Sequence, residues 1–286
     1  IDVTITGIGN YTGTVTRTYK ITPKSVTVTA DDKTKVFGET DPKLTATVDG
    51  TLGNDTVDYK LSRKTGEAVG KYEITVKGDK LQGNYSVTYV AGKLTITSQS
   101  IDPGKDPENP NPDYTGAKVN SPSDAVYDGN EHKWNPTVTD KADKKLKAGT
   151  DYTVEYSTKN FKDVGTIDVT ITGIGNYTGT VTRTYKITPK SVTVTANDKT
   201  KVFGESDPKL TATVAGTLGN DTVDYKLSRE AGEDVGKYAI TASGKAEQGN
   251  YSVTYVAGKL TITSQSIDPG TDPEKPNPDY TGAKVN

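Results

Sequence analysis

The chain has 286 residues, with 35 basic and 37 acidic side chains, a formal net charge of −2, and neither cysteine nor methionine. That balance gives no whole-chain field for nucleic acid or an anionic membrane, and the missing sulfur excludes disulfides, thiol catalysis and thiolate metal sites. Leu, Ile, Val and Phe make up 54 residues, about 19 %, near the composition of disordered chains, but the low net charge and regular apolar patterning point to folded modules.

IDVTITGIGNYTGTVTRTYKITPKSVTVTA begins at Ile1 and returns at Ile167, and residues 1–120 lie over 167–286 with 14 differences. A period of 166 residues is too long for one solenoid repeat and suits two small domains in series. Without an initiator methionine the chain is expected to be a piece of something longer. No signal peptide, membrane span or sorting motif occurs in the sequence.

In chain order, DVTITG and TVTRTYKI (residues 1–22) read as the last strands of a truncated module A. Residues 23–99 form module B, in which SVTVTA, KLTATV, YEITV, YSVTYV and KLTITS alternate apolar with polar residues. Period 2 with β-branched residues is the pattern of half-buried strands. Turn residues fall between them: GIGNYTG around Asn10 and Asn176, QGNY around Asn84 and Asn250, and YVAGK around Gly92 and Gly258. LGNDTVDYKL (Leu52–Leu61, copied at Leu218–Leu227) is the best candidate for a helical turn. A helix there would make module B β-grasp-like, with one short helix, in place of a sandwich.

IDPGKDPENPNP follows, a Pro-rich linker at residues 100–112 whose four prolines remove backbone donors and favour a semi-rigid spacer. Module A occupies residues 113–188 and a second module B residues 189–265. A second linker runs over 266–278, and 279–286 begins the next module A. The expected fold is all-β, with tandem small Ig-like or β-sandwich modules in a rod-like array. A module of about 75 residues buries only about 60 % of its unfolded surface. With no cysteine, its staple would be calcium, an intramolecular amide bond, or packing alone.

Enzymatic activity is not expected. The single histidine, His132, has no Ser–His–Asp or Cys–His partners, and no Gly-rich phosphate loop leads from a strand into a helix. The lone tryptophan, Trp134, lies beside His132 and near Tyr127. This trio is the candidate ligand-binding cluster, an aromatic platform for a sugar ring, against the simpler reading of Trp134 as a core residue of the sandwich. No cofactor is expected, calcium being the one alternative. Its ligands would come from Asp102, Asp106, Glu108 and Asp113, or from Asp31, Asp32, Glu39 and Asp41, although solvated surface charge explains both sets more simply. An amide cross-link is disfavoured because the strand Thr180–Ile187 contains no Asn and Asn176 lies in the turn before it. Six Asn-x-Ser/Thr matches occur, at Asn10, Asn54, Asn84, Asn176, Asn220 and Asn250. Four are the GNY turns, where Asn is suited by its tolerance of positive φ.

Tyr127–Ile187 resembles the Ig-like repeats of Gram-positive surface proteins in its opening Tyr127-Asp128-Gly129, AGTDYTVEY, DVGTIDVTITG and closing GNYTGTV. Thr34–Thr97, repeated from Thr200, resembles the MBG-type modules of bacterial adhesins through KVFGE, DPKLT, GTLGNDT, VGKY and the closing GKLTIT. Phe37 and Phe203 stand where Tyr is expected after the Lys-Val pair. The resemblances imply a secreted or cell-wall-attached bacterial surface protein. Its repeats would form a stalk that projects a binding head. Alternatively, they would themselves bind host glycan, mucin or extracellular-matrix protein with avidity. Neither nucleic acid nor membrane is expected as a partner, and the array is expected to be monomeric and extended.

Overall fold

The computed structural model describes residues 1–104 and 116–266, which contain strands and turns and no helix. They divide into two compact units. Unit 1 comprises Ile1–Asn120, Pro136–Val154 and Thr170–Val181, and unit 2 comprises Ser121–Asn135, Glu155–Val169 and Thr182–Asn286.

Strands β1 (Asp2–Thr6) and β2 (Thr14–Thr18) form an antiparallel hairpin exposed along its length. Module B follows as β3 (Lys24–Ala30), β4 (Lys33–Val36), β5 (Ala46–Asp49), β6 (Lys60–Arg63), β7 (Gly70–Lys77), β8 (Leu81–Gln82), β9 (Tyr85–Val90) and β10 (Gly92–Thr97). They build two four-stranded sheets, ordered β5-β3-β9-β8 and β4-β10-β7-β6. Alternate residues point inward, so Val26, Val28, Ile74, Val76, Val87, Leu94 and Ile96 make one buried core.

Two strand pairs cross from one sheet to the other side by side. β3 runs parallel to β9, and their continuations β4 and β10 are also parallel. The crossing is fixed by short polar contacts. Asp32 accepts the Lys93 N–H at 2.8 Å, and Asp31 accepts the hydroxyls of Thr45 and Thr47. Gly92 lies so close to the other strand that a Cβ there would sit 2.4 Å from the Ala30 carbonyl oxygen.

The expected helix at Leu52–Leu61 is a turn and an extended run into β6. Gly53 takes a left-handed φ of +55°, the Asp55 N–H closes a turn onto the Leu52 carbonyl at 3.0 Å, and Val57 enters the core. The Tyr85 hydroxyl pins the segment by accepting the Leu52 N–H and donating to Asp55. Module B is therefore a β-sandwich.

The middle module contains β11 (Gln99–Ser100), β12 (Lys118–Val119), β13 (Ala125–Val126), β14 (Val138–Thr139), β15 (Tyr152–Tyr156), β16 (Gly165–Gly173), β17 (Tyr177–Thr178) and β18 (Thr180–Thr188). Its main sheet has the order β13-β18-β16-β15. Gln99 and Ser100, placed by sequence at the junction of module B and linker, form β11 and pair in parallel with Tyr177 and Thr178. Ile101 behind them is fully buried. A three-residue polar-apolar stretch is too short to show alternation, so its strand character follows from the partner. The rest of the first linker from residue 105, the second linker beyond Ser266 and the expected start at 279–286 lie outside the described residues.

The second module B repeats the first as β19 (Lys190–Ala196), β20 (Lys199–Val202), β21 (Ala212–Ala215), β22 (Lys226–Arg229), β23 (Gly236–Ser243), β24 (Glu247–Gln248), β25 (Tyr251–Val256) and β26 (Gly258–Thr263). Its sheet orders are the same, β21-β19-β25-β24 and β20-β26-β23-β22.

Candidate functional site

The predicted aromatic trio is divided by the fold. Tyr127 follows β13, is buried, and meets the Tyr251 ring edge-on with centroids 5.6 Å apart. His132 and Trp134 lie on an extended segment pinned by tyrosine hydroxyls. Tyr185 donates to the His132 carbonyl and Tyr156 to the Trp134 carbonyl, each at 2.8 Å. His132 Nε2 lies 2.8 Å from Asp128 Oδ1. The Asp128 carboxyl is held down at about 2, first by the Asn130 backbone and side chain and then by His132. Trp134 is half-buried, neither a fully enclosed core residue nor an open platform. Beside it Lys133 places its ammonium 4.8 Å from the Tyr156 ring centroid and 5.2 Å from that of Phe161. Sequence reasoning missed Lys133, Tyr156 and Phe161 because nothing in their spacing marks them as neighbours.

The carboxylates considered for calcium have other partners. Asp31 and Asp32 hold the strand crossing. Glu39 accepts the Val36 N–H at 2.9 Å and pairs with Lys141 at 2.7 Å. Asp41 belongs to an ion cluster around the buried Lys35, whose ammonium meets Asp41, Glu67 and the Glu39 carbonyl. Arg63 bridges Asp41 and Glu67 from the other side. The Arg63 guanidinium, and then Lys35, hold the Asp41 carboxyl well down, at about 2. Lys201, Asp207, Arg229 and Glu233 repeat the cluster. Among the described residues no group of three His, Cys, Asp or Glu is placed to hold a metal. Asp106, Glu108 and Asp113 lie outside them.

The recurring feature is a joint between modules, made once within each unit. In unit 1 the Asn176 side-chain oxygen accepts the Val69 N–H at 2.9 Å, while Tyr177 meets Phe37 edge-on at 5.5 Å. The Gln99 N–H reaches the Asn176 carbonyl at 3.0 Å. Burial, then Asp140, pushes the Tyr177 hydroxyl up to about 12. In unit 2 the Asn250 oxygen accepts the Val164 N–H at 2.9 Å, and its amide donates to Asp163 at 2.9 Å. Tyr251 meets Tyr127, while the Asn250 carbonyl accepts the Lys190 N–H of its own module at 3.0 Å, as the Asn84 carbonyl accepts the Lys24 N–H in the first module B. Each joint thus combines one aromatic and one Val-Gly loop N–H from one module with the Gly-Asn-Tyr turn of the next.

These turns do not use asparagine for positive φ. Their left-handed residue is the glycine, Gly175 at +66° and Gly249 at +58°, which leaves the asparagine side chains to reach across. The sequence signal was the repetition of Gly-Asn-Tyr together with Val-Gly, which local turn chemistry alone did not connect.

Fold and joints define a class: tandem β-sandwich modules connected by a repeated clasp. Residues 26–95 and 192–261 each match the family model of the MBG domain (YGX type). The aromatic-glycine step is Phe37-Gly38 and Phe203-Gly204 in this chain. No curated protein matches the sequence. Among solved structures, Drosophila N-cadherin EC1-4 is similar at 10 % identity, covering 89 % of this chain and 80 % of that one, with a TM-score of 0.25. Mouse cadherin-23 EC22-24 is similar at 10 % identity over 84 % of this chain and 99 % of that one, also at 0.25. At TM-scores this low the likeness defines neither fold nor function.

Proposed function

We propose that the chain is a non-enzymatic spacer segment of a secreted or cell-wall-attached surface protein of a Gram-positive bacterium, projecting a binding head from the cell. The observation that carries this reading is the joint itself. Two different module types are fastened by the same contacts, which suits a part whose work is length and alignment. A clasp of one hydrogen bond and one aromatic pair restrains neighbouring modules, and near-identical copies extend reach without redesign. Small-angle scattering of the chain tests it. A single compact domain of this length would have a radius of gyration of about 19 Å. A clearly larger value is expected, and one near that figure would defeat the spacer reading.

A second reading, adhesion through the repeats, is favoured by the half-exposed Trp134 beside the Lys133–Tyr156–Phe161 cluster. It requires saturable binding to mucin, matrix protein or a glycan panel that disappears in Trp134→Ala with the fold intact.

A further inference from the structure

We propose that module B is a load-bearing element, whose first and last stretches form a shear clamp that resists unfolding when the chain is pulled from both ends. This goes beyond the spacer reading, which asks only for length, and it holds equally if the repeats themselves bind a surface.

The clamp is one continuous parallel ribbon. In the first module B, β3 pairs with β9 from Lys24↔Tyr85 to Thr29↔Val90, and β4 pairs with β10 from Lys33↔Leu94 to Val36↔Thr97. The offset between partners is 61 residues on both sides of the crossing from sheet to sheet. At the crossing itself the Lys93 N–H onto Asp32 Oδ1, at 2.8 Å, keeps that offset. Main-chain bonds close both ends. The Lys24 N–H donates to the Asn84 carbonyl and the Phe37 N–H to the Thr97 carbonyl, each at 2.8 Å. The second module B repeats the ribbon in β19 with β25 and β20 with β26. Its end bonds run from Lys190 to Asn250 at 3.0 Å and from Phe203 to Thr263 at 2.8 Å.

The chain enters the first module B at Lys24 and leaves it at Thr97, at opposite ends of the ribbon. Tension therefore slides the two stretches past each other along the strand axis. The ladder bonds lie across that motion and share the load, so they must yield together. Drawn apart from one end, the same bonds would peel singly. Val26, Val28, Val87, Leu94 and Ile96 belong to these strands and must leave the core in the same step. What the ribbon raises is the barrier to forced unfolding, not the equilibrium stability.

Module A is built otherwise. Among its described residues the parallel pairing of early with late strands is split in two. β11 meets β17 at Gln99 and Ser100, and β13 meets β18 at Ala125 and Val126. Each covers two residue pairs, and the intervening chain makes the load fall on them in turn. The two copies of module B are the strong links and module A the weak one.

Single-molecule stretching of the chain between its termini tests the hierarchy. Two events at higher force and one at lower force are expected, the two-to-one ratio assigning them to modules B and A. A second arm isolates direction. The chain lacks cysteine, so introduced thiols can carry the handles. Thr22→Cys with Ser98→Cys loads the first module B from opposite ends of the ribbon, and Thr22→Cys with Asn84→Cys loads it from one end. Circular dichroism verifies that both variants are folded. The opposite-end rupture force is expected to exceed the same-end force several-fold. The proposal is overturned by equal forces in the two directions, or by stretching in which two of the three events fall at the lower force.

Discussion

Position 76 offers an experiment that the repeat itself has half performed. Val76, on β7 opposite Leu61, is 4 % exposed within the first core, and its counterpart on β23 is Ala242, 6 % exposed opposite Leu227. The second module therefore lacks two buried carbons that the first contains. At about 0.8 kcal/mol per buried carbon the transfer contribution is about 1.6 kcal/mol, and incomplete collapse around the smaller residue brings it to about 2 kcal/mol. A module of about 75 residues unfolds with an entropy near 160 cal/mol/K, so 2 kcal/mol displaces its midpoint by about 12 °C. Val76→Ala should lower the transition of the first module by that amount, and Ala242→Val should raise that of the second. Scanning calorimetry of the two variants and the wild type reads both, each with the untouched module as internal standard. A displacement below about 3 °C would refute the assignment of this position to a tightly packed core. Transitions that moved together would refute independent unfolding of the modules.

Two further outcomes follow from the same geometry. Asp41 has a folded pKa of about 2, depressed below the ordinary carboxylate value by Arg63 and Lys35. Its stabilising contribution is therefore present above about pH 4 and is lost as pH falls from about 4 toward 2. Partial exposure keeps that contribution modest. Denaturant midpoints should fall over this window in the wild type and less steeply in Asp41→Asn/Asp207→Asn, so parallel curves would contradict the ion cluster. Gly92→Ala forces a Cβ against the Ala30 backbone, which cannot swing aside, and should cost about 1–3 kcal/mol. Gly83→Ala, at φ +57° with open space around it, should cost only about 1 kcal/mol from the backbone conformation. Equal losses in the two would place no close crossing at Gly92.

Strand content was legible because Val–Thr alternation survives in any half-buried strand. SVTVTA became β3 and β19, and YSVTYV became β9 and β25. Pairing was not legible. The parallel partnership of β3 with β9 joins segments far apart in the chain, and alternation says which face is buried but not against what. Lys35 shows a second limit. It sits on β4 where a lysine reads as solvent-facing, yet it is buried, because Asp41 and Glu67 converge on its ammonium. Leu52–Leu61 shows a third, since its apolar spacing fits a helical turn while Gly53 and the Tyr85 hydroxyl impose another path. Of the aromatic trio, the sequence gathered residues that are close in number. The fold instead sends Tyr127 into a joint, ties Trp134 to Tyr156 of β15, and sets Lys133 against Phe161 of the loop after it. Asn176 was assigned to its turn because its side-chain target, the Val69 N–H, is 107 residues away.

What the clasp reads explains why two unlike modules can share it. Asn176 and Asn250 each bind a main-chain N–H, a donor that every residue but proline supplies. The loops that present it differ, Glu67-Ala68-Val69-Gly70 in one joint and Asp163-Val164-Gly165 in the other, and the aromatic partner changes from Phe37 to Tyr127. On the Gly-Asn-Tyr side glycine permits the left-handed turn, asparagine supplies the acceptor and tyrosine the ring, while the facing module need supply only a main-chain N–H and an aromatic ring, which is Phe in one joint and Tyr in the other. The remaining contact of the first joint, the Gln99 N–H onto the Asn176 carbonyl, is again main chain and independent of residue type. Divergence elsewhere in a module therefore leaves its fastening intact. The 14 differences between copies accumulate mainly between Lys64 and Leu81, and the one that enters this joint segment, Ala68 to Asp234, leaves the neighbouring Val-Gly donor unchanged.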